Sequence, residues 1–196
     1  MSKKKKVKSV GLIVEDNSDY IAFKHIIKRI SEKENLTLKK AIGNGCGKLR
    51  RKALSYCQNL HQKGCDLIIL VHDLDRNELS KLEKELEDLI APSPAKYNFI
   101  CIPIEEIEGW FLSDPEGLKS AFNLDRKPSV NGNPETISSP KEKLEEIVYL
   151  CSNKSKMYLN TQHNELLAIN ICLNKMKEKC SSFLKLYNEM KLYDFK

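Results

Sequence analysis

The sequence contains no apolar run of membrane length. Its longest, Leu67–Val71, falls far short of the roughly 20 residues that cross a bilayer. No apolar segment of signal-peptide length follows the lysine-rich stretch Met1–Lys8, so no secretory route is expected. The seven cysteines are odd in number and none stands in a C-x-x-C pair. That argues against a disulfide framework and against a zinc ribbon, and fits scattered small thiols in a reducing cytoplasm. No internal repeat is present. The glycine-rich loop Gly43-Asn44-Gly45-Cys46-Gly47 before Lys48 lacks the G-x-x-x-x-G-K-[ST] spacing of a P-loop.

What remains is a chain of 196 residues, 41% apolar and 31% charged, long enough for one substantial core with a small appendage. The net charge of +6 suits a polyanionic partner without demanding one. Much of the excess sits in residues 1–8, expected as a basic, solvated, flexible arm.

Strand-like and helix-like stretches alternate through the first half. Ser9–Glu15 is rich in Val, Leu and Ile and predicts a buried strand. Asn17 or Ser18 can cap a helix over Asp19–Ser31, where Ile21, Ile26, Ile27 and Ile30 recur at helical spacing. Leu36–Ile42, Asp66–Val71 and Tyr97–Ile104 predict three more strands. Helices are expected at Lys48–Gln62, Glu78–Ile90 and from about Glu105 to Ser113. This alternation implies a mainly parallel sheet with right-handed crossovers. Beyond Ser113 the strand signal fades, and Pro140–Ser152, Asn164–Lys177 and Ser181–Lys191 predict helices. The organisation expected is an α/β core over residues 9–113 and a helical C-terminal extension over 114–196 packed on it.

Ligands of open parallel sheets bind beyond the carboxyl ends of the strands. The first predicted strand ends in Glu15, with Asp16 and Asp19 after it. The third ends in His72-Asp73-Leu74-Asp75, and the fourth is followed by Glu105, Glu106 and Glu108. Carboxylates drawn together repel unless they are protonated or share a cation, and oxygen ligands favour Mg²⁺ or Mn²⁺. Each piece also has a plain reading. A lone D-x-D is commonly a loop or a cap, and Asp19 can serve a helix N-terminus through the dipole. The glycine loop is a plain strand-to-helix turn or a phosphate cradle, with Gly45, Gly47, Lys48, Arg50 and Arg51 as its candidate binding residues. His72 is expected to pack on its strand, and Trp110 and Phe111 to seat their helix on the sheet. A site role for His163 has little support.

Glu15 in LIVEDNSDY with Asp73 and Asp75 in ILVHDLDRNE resembles the Toprim pattern of topoisomerases, primases and OLD-family nucleases. Glu15-x-x-x-Asp19 is similar to the OLD-type version. GNGCGK, EEIEGWFLSD, His163 and the CSSF at Cys180–Phe183 resemble motifs of small stand-alone Toprim proteins, and the likeness runs from about Val10 to Lys191. Toprim proteins commonly have Gly after the catalytic Glu; here it is Asp16. The resemblance implies a Toprim-like Rossmannoid fold and a Mg²⁺-dependent nuclease acting on DNA or RNA. It also implies a role in bacterial phage defence beside a partner ABC-like ATPase. Asp19, Asp73, Asp75 and Glu108 would bind one or two ions. Glu15 would join them or act as general acid/base, and Lys48 would steady the scissile phosphate.

Two other readings stand beside this one. LIVEDNSDY also resembles the first strand of response-regulator receivers, in which Asp73 would be phosphorylated. A receiver ordinarily has Ser or Thr where this chain has Pro103-Ile104-Glu105, and a lysine after a fifth strand that the sequence does not suggest. Alternatively the chain is a non-catalytic subunit docking on an ATPase through Leu144, Ile147, Leu150, Leu166, Leu167, Ile169 and Ile171. Self-association into a homo-oligomer is a further expectation; a membrane partner is not.

Overall fold

The computed structural model describes residues 4–196; Met1–Lys3, the start of the expected arm, lie outside the described residues. A four-stranded parallel sheet forms the centre. Its strands are β2 (Ser9–Val14), β3 (Thr37–Ile42), β4 (Leu67–Val71) and β5 (Tyr97–Cys101), in the order β3-β2-β4-β5. The α/β expectation holds: this is a Rossmannoid sheet flanked by helices. The two inner strands, SVGLIV and LIILV, are buried along their whole length. An apolar run without alternation suits a strand covered on both faces.

Helix α1 (Asn17–Ser31) covers one face, with Phe23, Ile26, Ile27 and Ile30 against Val10, Leu12, Leu67 and Ile69. Helices α2 (Cys46–Gln62) and α3 (Leu79–Ile90) cover the other, with Leu49, Ala53, Leu60, Leu82 and Leu86 against Ile13, Ile68 and Leu70. The chain therefore leaves β2 outward to β3 over one face, and leaves β4 outward to β5 over the other. The winding reverses between β2 and β4, which opens a crevice above their carboxyl ends.

Past β5 the helices are shorter and more numerous than expected. They are α4 (Glu108–Phe111), α5 (Pro115–Phe122), α6 (Pro140–Cys151), α7 (Asn160–Asn170), α8 (Leu173–Lys179) and α9 (Ser181–Lys191), with a 3₁₀ turn at Pro134–Thr136. They share one apolar core with α1, including Trp110, Phe111, Leu144, Ile147, Leu167, Ile171 and Phe183. Trp110 meets the rings of Phe23 and Phe183 edge-on at 5.5 and 5.2 Å. Of the apolar residues considered for docking, Leu150 and Ile169 remain exposed.

Three expectations need correction. The arm is in part a strand: β1 (Lys5–Val7) pairs in parallel with β6 (Tyr193–Phe195), and Val7 and Phe195 enter the core. The single helix expected over Asn164–Lys177 is two. Arg29 donates to the carbonyls of Ala168 and Ile171 at 2.6 and 2.8 Å, closing α7, and Cys172 N–H donates to Asp114 at 3.0 Å. Helix α1 is capped by Asp16, not by Asn17 or Ser18. Asp16 Oδ1 accepts from Ser18 N and Asp19 N at 2.7 and 3.0 Å, and Asp19 Oδ2 accepts from Asp16 N at 3.2 Å, a reciprocal capping box.

Candidate functional site

Pairing continues past the ends of the strands, and this is what sets the site. Asn44 N–H donates to Glu15 O at 2.8 Å, holding the glycine loop beside the end of β2. His72 N–H donates to Cys101 O at 3.1 Å and Leu74 N–H to Pro103 O at 2.9 Å, so the segment after β4 runs beside the segment after β5. Gly43 is needed for closeness, since a Cβ there would stand 2.6 Å from Leu49 Cβ. Gly45 is needed for its backbone, at φ +104°, as the chain turns into α2.

A small cleft at the winding reversal is lined by Glu15, Asp19, Leu49, Val71, His72 and Asp73. Its volume is about 10 Å³, on the scale of one water-sized occupant. Glu15 directly follows β2, Asp19 lies on the first turn of α1, and Asp73 stands two residues past the end of β4. Burial and the nearby Asp19, Glu108, Asp75 and Glu106 carboxylates push the Asp73 carboxyl well above its usual range. Asp19 is pushed up to about 7, by burial first, then by Asp16, Glu108 and Glu15; the bond from Asp16 N–H only partly offsets this. Strong shifts from desolvation combined with like charge are typical of functional clefts. Among the described residues, no three or more His, Cys, Asp or Glu side chains are grouped so that they could hold a metal ion as they stand.

Glu108 stands behind the cleft rather than in it. It is 4% exposed, and Tyr158 Oη donates to its Oε1 at 2.7 Å. Tyr158 also bonds to the side chain of buried Asn164. Burial raises the Glu108 carboxyl, while the bonds from Tyr158 and Asn164 act in the opposite sense. Sequence reasoning missed Tyr158 and Asn164. No local motif announces them, because the segment between α6 and α7 and α7 itself deliver them to Glu108 from 50 residues or more along the chain.

Asp75 lines a neighbouring groove with Arg76, Asn77, Glu105, Glu106 and Glu142, while its charge still reaches Asp73. Asp75 and Glu105 both have left-handed backbones, at φ 48° and 57°, and Asp75 N–H donates to Glu105 O at 3.4 Å. Such conformations cost on the order of 1 kcal/mol or more and gather at functional sites. Asp16, the residue that departs from the Toprim pattern, is occupied as the helix cap. Lys48 lies on the first turn of α2, next to the cleft residue Leu49. Arg50 is paired with Glu85 on α3 and Arg51 is exposed, so the basic run does not act as one unit at the cleft. His163 Nδ1 bonds to the backbone of its own helix at Leu159, away from the cleft. Among the described residues, no helix is long and apolar enough to cross a membrane.

Fold and site together define a Rossmannoid protein with an acidic crevice at its topological switch point. The chain belongs to the family described as "Domain of unknown function (DUF4276)", whose model matches residues 14–191 and so takes in every candidate site residue. No curated protein and no solved structure matches the chain significantly.

Proposed function

We propose that the protein is a Mg²⁺- or Mn²⁺-dependent phosphodiesterase that cuts DNA or RNA. One observation carries the reading: Glu15, Asp19 and Asp73, from three separate elements, line a single cleft where the sheet reverses its winding. The donors fit a hard divalent cation. They are carboxylates, and burial together with their mutual repulsion raises the pKa of Asp19 and of Asp73, a burden that a cation relieves.

Glu15, Asp19 and Asp73 would hold the ion, with Glu108 adding negative charge from behind and Asp75 facing the adjoining groove. When bound, the ion would supply Lewis-acid stabilisation of the charge that develops on a phosphodiester. Tyr158 and Asn164 orient Glu108. Lys48 and the free N–H groups where α2 begins, with no side-chain cap, would meet the phosphate. The Toprim resemblance extends this reading to an effector of bacterial phage defence working with a partner ATPase.

The four-stranded main sheet supports hydrolysis over a receiver. Among the described residues, the next strand after β5 is β6, which pairs with β1 and not with the central sheet.

The test is cleavage of DNA and RNA by the purified chain with Mg²⁺, Mn²⁺ or chelator. Cutting is expected only with metal, and Asp73→Ala is expected to slow it by about 10²-fold or more. Cutting by Asp73→Ala at the unsubstituted rate would sink the reading.

A further inference from the structure

The carboxylates account for the acidity of the cleft but not for His72, which lines it beside them. This ring is 6% exposed. Its Nδ1 lies 2.6 Å from the Asp73 carbonyl oxygen. A carbonyl can only accept, so Nδ1 carries a proton, and in the neutral tautomer this fixes, Nε2 presents a lone pair. Among the described residues, Nε2 is the one buried side-chain nitrogen or oxygen with no hydrogen-bond partner. Buried acceptors are satisfied in the great majority of cases, so an orphan calls for an explanation. A strand histidine serving only as packing has no need of a buried, unpaired nitrogen, and Leu or Phe would fill the space without one.

The orphan is also in a telling place. His72 precedes Asp73 in the chain and shares its cleft with Glu15, Asp19 and Asp73. A metal-binding imidazole has one nitrogen tied to a carbonyl or carboxylate, fixing its tautomer, and the other free to donate its lone pair. His72 has that arrangement. We propose that His72 Nε2 is a nitrogen ligand to the divalent cation of this cleft, and that it biases the site towards Mn²⁺ over Mg²⁺. Mg²⁺ is served by oxygen ligands, whereas an imidazole nitrogen suits first-row transition ions. This rests on the metal-dependent reading of the cleft given above.

The experiment uses the full chain loaded with Mn²⁺, with binding followed by calorimetry and the ligand atoms by pulsed electron paramagnetic resonance. A directly bound ¹⁴N is expected in the unsubstituted protein. It is expected to be replaced by a ¹⁵N signature when the histidines are ¹⁵N-labelled. His25, His61 and His163 do not line the cleft, so the signal reports on His72. His72→Leu is expected to lose the signal and to bind Mn²⁺ about tenfold more weakly, with Mg²⁺ affinity changed by less than about twofold. Tight Mn²⁺ binding without a nitrogen signal overturns the proposal and leaves the carboxylate site standing. No Mn²⁺ binding by the unsubstituted chain overturns both. If His72→Leu does not fold, the isotope comparison on the unsubstituted chain decides alone.

Discussion

Asp114 and Asp73 are both acids held away from water, and their surroundings could hardly differ more. Asp114, 3% exposed at the start of α5, accepts from Gly117 N–H and Cys172 N–H, each at 3.0 Å, and from Lys175 Nζ at 2.7 Å. Burial alone would raise its pKa, but Lys175 and the two backbone donors outweigh that and hold it below the usual range. Nearby Glu135 accepts from the backbone N–H and the hydroxyl of both Ser181 and Ser182, pinning the start of α9. Asp73 is surrounded instead by four more carboxylates, and its pKa is driven up. The helical half spends its buried acids on holding helices together. The sheet edge gathers acids that destabilise one another. Buried charge left uncompensated costs stability, and its persistence supports the proposal that the crevice is the functional site.

That contrast can be broken at either end. The largest effect is expected at Glu135→Ala, which strands the Ser181 and Ser182 donors: a loss of about 2–4 kcal/mol, read from the urea midpoint. Asp114→Ala should follow at about 2–3 kcal/mol, because it removes a helix cap and leaves Cys172 N–H without its acceptor. Asp73→Asn should do the opposite and stabilise the metal-free protein by about 1 kcal/mol, since it removes a repelled charge at little change of shape. A destabilised Asp73→Asn variant would show that the acid is structural after all.

The two regions should also carry opposite pH signs. Asp19 has a folded pKa near 7, above its unfolded value of 3.8. Between those values the folded state binds more protons, so the stability Asp19 contributes is full below about pH 4 and is lost as pH rises through 7. Asp114 is shifted the other way, so its contribution is present above its unfolded pKa and is lost as pH falls through its depressed folded value. Thermal unfolding from pH 8 to 3 of Asp19→Asn and Asp114→Asn, each against the unsubstituted chain, separates the two. The smallest effect is expected for the surface pair of Lys143 and Glu146, 2.7 Å apart, where Lys143→Ala should cost less than about 0.5 kcal/mol.

The sheet and the crevice were legible because both follow from local pattern. SVGLIV and LIILV are apolar throughout, which only a doubly covered strand explains, and the rule that sites lie beyond strand ends then picks out Glu15 and Asp73. What was not legible depends on distant partners. The residues Lys5–Val7 read as a charged arm, and become a strand only because Tyr193–Phe195 arrive beside them. The periodicity of Asn164–Lys177 is real, but Arg29 and Asp114 take the backbone groups at Ile171 and Cys172 and break the helix there. That Asp75 lines the adjoining groove goes with its left-handed backbone, which an aspartate does not announce. Helix α5 is a different case: Asp114-Pro115, a cap followed by proline in the first turn, was a readable start signal.

The setting of Trp110 has an optical consequence. It is the only tryptophan of the chain, fully buried, two positions after Glu108, and its Nε1 donates to Ser182 Oγ at 2.7 Å. Its emission therefore comes from one environment, touching the helix that carries Glu108 and the α9 start that Glu135 pins. Unlabelled protein carries its own fluorophore at the joint between the two regions. A shift of that emission to longer wavelength would report the joint loosening, and a titration with cations could be followed by the same light.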